Sequence, residues 1–214
     1  MKIKAVLFDM DGVLIEAKDW HFEALNRALD LFGMPISRHD HETTFDGLPT
    51  SKKLEMLSVE RGLPRELHRF LNEMKQKYTT EMIHTLCKPR FAQEQALSTL
   101  KARGYRLSVC SNSIRATVEL MMQKANLSQY LENMVSNEDV SKSKPDPEMY
   151  VKSMNFFGLA PDECLIVEDN ENGIKAARAS GGHLLVVQDV AETNITNILG
   201  RIREIEATQV RVAA

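Results

Sequence analysis

The chain has 214 residues, a formal net charge of -3, 43% hydrophobic residues and 27% charged residues. At about 150 residues per domain this is one large domain or two modest ones, and the balance excludes wholesale disorder, collagen and coiled-coil rods. The slightly acidic charge argues against nucleic acid or an anionic membrane as the main partner, and no apolar run approaches the ~18 residues of a membrane span.

In chain order, Ile3 to Phe8 is an apolar run broken only by Lys4 and ending at Asp9, which reads as a buried parallel strand. The acidic residue comes too early for a secretory leader. Phe22, Leu25, Leu29 and Phe32 then fall at helical spacing, with Gly33 and Pro35 as the stop. A second helix starts near Ser51, turns Leu54 and Leu57 inward and stops at Gly62. A third runs from Pro64 through Leu67, Leu71, Met74, Tyr78 and Met82. No strand signal interrupts residues 19–84, so 17–86 is expected to be an all-helical domain inserted after the first strand.

The remainder, 87–214, joins residues 1–16 in an α/β domain. Ala96, Leu97 and Leu100 mark a helix closing at Gly104, and Arg106 to Cys110 is a strand. Ile114, Val118, Met121 and Met122 mark the next helix, and Met134-Val135 a short strand. Pro147 to Asn155 is helical, with Tyr150, Val151 and Met154 on one side. Cys164 to Val167 and Leu184 to Val187 are strands flanking a helix from Gly173 to Ala179, and a surface helix follows Thr193. Such alternation predicts a doubly wound parallel sheet. The cysteines Cys87, Cys110 and Cys164 fit no metal spacing and read as buried thiols in a reducing cytoplasm.

In an open α/β sheet, ligands bind at the carboxyl ends of the strands. Asp9-Met10-Asp11-Gly12, Ser111-Asn112 and Glu168-Asp169 stand at such ends, and Lys144 just before a helix. The carboxylates of Asp9, Asp11, Glu168 and Asp169 repel one another, which calls for a cation; Mg²⁺ accepts carboxylates, waters and a phosphate. Lys144 and the Ser111 hydroxyl then remain as donors to phosphate oxygens, and the whole suggests phosphoryl transfer. On an extended segment Asp9 and Asp11 point the same way, so one can attack phosphorus while the other exchanges a proton with the leaving oxygen. Gly12 allows a sharp turn.

Four segments carry a resemblance. Phe8-Asp9-Met10-Asp11-Gly12-Val13-Leu14, Val109-Cys110-Ser111-Asn112-Ser113, Lys144-Pro145-Asp146-Pro147 and Val167-Glu168-Asp169-Asn170-Glu171-Asn172-Gly173-Ile174 resemble, in order, the four motifs of the haloacid dehalogenase-like phosphohydrolases. The helical insert resembles the small cap of the subgroup that includes β-phosphoglucomutase and phosphoglycolate phosphatase. The resemblance implies that Asp9 is nucleophile and magnesium ligand. It implies that Asp11 is acid and then base, with its backbone carbonyl on the metal. Asp169 is implied as a direct ligand and Glu168 as a direct or water-mediated one. Ser111 and the Asn112 backbone bind the phosphoryl group, Lys144 neutralises it, and the N–H groups of Met10 and Gly12 cradle it.

Within the insert, His21 has two readings, proton handling and a structural histidine. The turn Phe45-Asp46-Gly47-Leu48-Pro49-Thr50-Ser51 also has two, a substrate-facing loop through Gly47 and Thr50 and a plain helix start. The implied activity is a magnesium-dependent phosphatase for a small phosphorylated metabolite. The alternatives are a sugar phosphate mutase, whose cap arginine falls near Thr50 here with only Lys52 and Lys53 beside it as substitutes, and a non-catalytic interaction protein. Asp11 argues against a dehalogenase. Monomer and dimer stay equally open.

Overall fold

Ala5–Phe8 form strand β1, four apolar residues with no exposed surface. The computed structural model describes residues 2–45 and 47–212, and of 209–212 the backbone alone. The chain packs as two units, Met1–Glu16 with Lys88–Ala214, and Ala17–Cys87.

The second unit is helical. It contains α1 (Lys18–Asp30), the short α2 (Arg38–Asp40), a π-type turn at His41–Phe45, α3 (Thr50–Arg61) and α4 (His68–Leu86). Leu25, Leu29, Leu54, Leu57 and Leu71 share one core cluster. Burying each such side chain contributes roughly 1.5–3 kcal/mol. Two details depart from the sequence reading. Phe32 stands 41% exposed instead of inward, because α1 ends at Asp30. On α4 the fully buried stripe is Leu71, Lys75, Thr79 and Ile83, with Met74 and Tyr78 at its margin. The apolar spacing was shared between two adjacent faces, and the polar members of the stripe carry no periodic signal. Neither α2 nor the π-type turn is visible in the pattern, since three and five residues are too few to show a period.

The first unit continues with α5 (Phe91–Ala102), β2 (Arg106–Cys110), α6 (Arg115–Lys124), β3 (Asn133–Val135), α7 (Glu148–Phe157), β4 (Cys164–Glu168), α8 (Glu171–Ser180), β5 (His183–Val186) and α9 (Ile195–Val212). Among the described residues the sheet has five strands in the order β3-β2-β1-β4-β5, and every pairing is parallel. This is the doubly wound α/β arrangement that the alternation predicts. Side chains alternate across a strand. Ala5, Leu7, Cys164 and Ile166 therefore meet Tyr150, Met154 and Phe157 of α7 and Ala176 and Ala177 of α8 in one cluster. Val6, Phe8, Leu165 and Val167 face the other side and are equally buried, which is why these strands read as unbroken apolar runs. Val151, expected beside Tyr150, is 38% exposed because it falls one residue off the α7 stripe. The last helix is held by Ile198, Ile202 and Ile205, all buried. Strands β2 and β3 are added on one side of β1 and β4 and β5 on the other, so the order of addition reverses between β1 and β4 and sets a crevice beyond their carboxyl ends.

Candidate active site

Asp9 directly follows β1, and its N–H still donates to the Val167 carbonyl of β4 at 3.0 Å. The chain then turns sharply. The N–H groups of Leu14 and Ile15 both donate to the Met10 carbonyl at 2.9 Å, and the Gly12 N–H donates to the Ile15 carbonyl at 2.7 Å. Gly12 has φ +89°, a conformation that a side chain would strain. Its N–H, expected to cradle a phosphate, is thus taken by the turn. Met10 is fully buried.

Three charges meet behind this turn. The Lys144 ammonium donates to Asp9 Oδ1 at 2.6 Å, to Glu168 Oε1 at 2.6 Å and to the Cys110 carbonyl at 2.8 Å. An ammonium has three donors, so this geometry uses all of them. Lys144 and Glu168 are 4% and 0% exposed, which makes the assembly a buried ion triad. Glu168 is held on both oxygens. Oε1 also accepts from the Tyr150 hydroxyl, and Oε2 accepts from the N–H groups of Asp169 at 3.1 Å and Asn170 at 3.4 Å. Gly173 on α8 leaves room for that carboxylate, since a Cβ there would stand 1.8 Å from Glu168 Oε1.

Around the triad, Ser111 is buried, and its Oγ accepts the Ser113 N–H at 3.1 Å. The Ser113 hydroxyl is 3.4 Å from Asp11 Oδ2. Asn112 clamps the Lys144 backbone. Its Oδ1 accepts the Lys144 N–H at 3.0 Å and its Nδ2 donates to the Lys144 carbonyl at 3.3 Å. Asn137 Nδ2 in turn donates to the Asn112 carbonyl at 2.9 Å.

Burial pushes the Asp9 carboxyl well above its ordinary range; Lys144 opposes the shift, and Glu168, Asp169 and Asp11 add to it. Burial alone would lower the Lys144 ammonium, but Asp9 and Glu168 outweigh it and raise it. Burial foremost, then Glu168, raises the Tyr150 hydroxyl, which stays a donor. Burial also pushes the Cys110 thiol up to about 12, so it is no nucleophile at neutral pH. Ligand atoms of Asp9, Glu168 and Asp169 lie within 4.8 Å of one another, close enough to share one ion. This all-oxygen, anionic donor set fits a hard divalent cation such as Mg²⁺. Asp11, the fourth acid expected there, is outside the group by its carboxylate.

The structure thus brings together Asp9, Lys144, Glu168 and Asp169, with Asp11 tied to the Ser111–Ser113 segment. His21, Gly47 and Thr50 belong to the helical unit. His21 Nδ1 lies 3.2 Å from Lys75 Nζ, Gly47 has φ +69°, and Thr50 opens α3. Asp46 of the same turn lies outside the described residues. Sequence reasoning gave no role to Tyr150, Gly173 or Ser113, nor to the Asn112 side chain. Tyr150 falls on the predicted inward stripe of its helix, where an aromatic residue is indistinguishable from core.

A family model for haloacid dehalogenase-like hydrolases matches residues 6–187. A phosphorylated carbohydrates phosphatase from Thermotoga maritima is 26% identical over 182 residues, covering 84% of this chain and 82% of that protein. A pyrophosphatase PpaX from Bacillus mycoides is 26% identical over 196 residues, covering 87% and 84%. Among solved structures, β-phosphoglucomutase from Clostridium difficile superposes with a TM-score of 0.82 at 19% identity, over 96% of this chain and 99% of that one, a likeness of fold.

Proposed function

Because the chain belongs to the haloacid dehalogenase-like hydrolases, we propose that it is a magnesium-dependent phosphatase acting on a small phosphomonoester through an aspartyl-phosphate. The observation that carries this reading is the buried triad of Asp9, Lys144 and Glu168 at the carboxyl ends of β1 and β4, with Asp169 in reach of the same ion. Asp9, Asp169 and Glu168 are the residues that would hold Mg²⁺, which would supply charge neutralisation for the phosphoryl oxygens.

Asp9 attacks phosphorus, and the bond from phosphorus to the substrate oxygen breaks. Asp11 gives that oxygen its proton, then takes one from the water that cleaves the acyl phosphate. The Ser111 hydroxyl and the Asn112 N–H bind the transferring group. Lys144 keeps Asp9 oriented and offsets the charge that gathers as the phosphoryl group arrives. A phosphorylated sugar or related metabolite is the substrate class, in line with the phosphorylated carbohydrates phosphatase among the relatives.

The test is release of phosphate from a panel of phosphorylated metabolites, with Mg²⁺ and with chelator. Turnover is expected only with Mg²⁺. Asp9→Asn is expected to abolish it by removing the nucleophile while circular dichroism shows an unchanged fold. Full turnover by that variant overturns the nucleophile assignment, and turnover in chelator overturns the metal.

A further inference from the structure

Tyr150 is the largest fully buried side chain among the described residues, and it does two things for the ion triad. Its hydroxyl donates to Glu168 Oε1, the same oxygen that Lys144 reaches at 2.6 Å. Its ring lies against the Lys144 ammonium, with Nζ 4.8 Å from the centroid, within the ~6 Å of a cation–π contact. The residue sits on α7, whose stripe of Met149, Tyr150, Met154 and Phe157 is packed into the sheet, so the ring has little freedom to move.

We propose that Tyr150 is a positioning residue for this site: it fixes Glu168 and Lys144 together, and through Lys144 it fixes the Asp9 carboxylate in the geometry that receives metal and phosphorus. The alternative is that Tyr150 is only core, filling space between α7 and the sheet. Packing alone does not call for the hydroxyl, because a phenylalanine fills nearly the same volume. It is the acceptor that makes the hydroxyl specific. Glu168 Oε1 is a buried anionic oxygen, and losing one of its two donors leaves it under-satisfied. Lys144 has no spare donor to compensate, because its other two are committed to Asp9 and the Cys110 carbonyl. The carboxylate therefore shifts, and the ammonium with it.

This inference rests on the magnesium-dependent phosphatase reading. Tyr150→Phe keeps the ring over Lys144 and removes only the hydroxyl. Its Mg²⁺ affinity, read by calorimetry on protein without substrate, is expected to weaken about tenfold, as for other groups that orient a metal ligand. With the substrate that the panel identifies, kcat is expected to fall by a similar factor while KM stays within twofold, because Tyr150 touches no substrate. Ser153→Ala, which removes another buried hydroxyl of α7, is expected to leave both quantities unchanged and controls for loss of packing. Thermal unfolding checks that both variants fold. If Tyr150→Phe binds Mg²⁺ and turns over as wild type does, with or without a lower unfolding temperature, the residue is core only and the inference is overturned. A wild-type protein that neither binds nor needs Mg²⁺ overturns the phosphatase reading instead, and the two failures are told apart.

Discussion

In the α/β unit, Asp9, Lys144, Glu168 and Tyr150 are charged or polar groups withdrawn from water and bonded chiefly to one another. In the helical unit, the ion pairs Arg38–Asp19, Arg65–Glu55 and Arg69–Glu73 stand on the surface with every partner at least half exposed. The first kind of pair is costly to assemble and severe to break, whereas the second contributes about 0–1 kcal/mol. What holds the helical unit is its leucine-rich core. A fold gains little stability from a buried triad that apolar side chains could replace, so its presence here points to chemistry. The surface pairs need no such explanation.

Two substitutions break this comparison from opposite sides. Lys144→Met leaves Asp9 and Glu168 buried together without a counter-charge, and is expected to cost about 3–5 kcal/mol in urea unfolding. Adding Asp9→Asn to it should recover part of that loss, because the two residues share one bond and their effects do not add. A fully additive double variant would show that the triad is not the source. In the other unit, Leu71→Ala opens a cavity at a fully buried position and is expected to cost about 2–5 kcal/mol. Per folded molecule, Leu71→Ala should retain more turnover of a small aryl phosphate than Lys144→Met does. Equal losses would mean that the two units do not divide chemistry from packing in this way.

The same contrast explains how much was legible. β2 is read from Arg106 to Cys110 with its boundaries intact, because Gly104 before it and Ser111-Asn112-Ser113 after it are turn residues that bracket Leu107, Val109 and Cys110. The acids and the lysine of the site are legible because they stand beside strand ends, in short motifs with few other uses. Tyr150 and Gly173 were not, because the reason for each is a contact between distant parts of the chain: a hydroxyl on Glu168, and a missing Cβ that Glu168 needs. Lys75 and Thr79, on the buried stripe of α4, failed the opposite way. Their polarity hides an inward position, and only packing reveals it.

The smallest effect comes from a pair intermediate between the two kinds. Asp139 closes the turn after β3, where its Oδ2 accepts from the Ser136 N–H at 2.8 Å, from the Ser136 hydroxyl at 2.6 Å and from the Arg115 guanidinium. Burial would raise its carboxyl, but the bonds from Arg115 and Ser136 outweigh this and bring it down to about 2. A carboxyl depressed in the folded state stabilises the protein above its ordinary value of 3.8, and that stability is lost as the pH falls through about 2. Asp139→Asn is therefore expected to lower stability by about 1 kcal/mol at pH 7, the scale of one hydrogen bond at a partly exposed site. The gap between variant and wild type should narrow as urea unfolding is repeated below the ordinary carboxylate range, because wild type then loses the same charge. A gap that stays constant with pH would assign the contribution to neutral contacts of the turn and leave the Arg115 pair with the surface class.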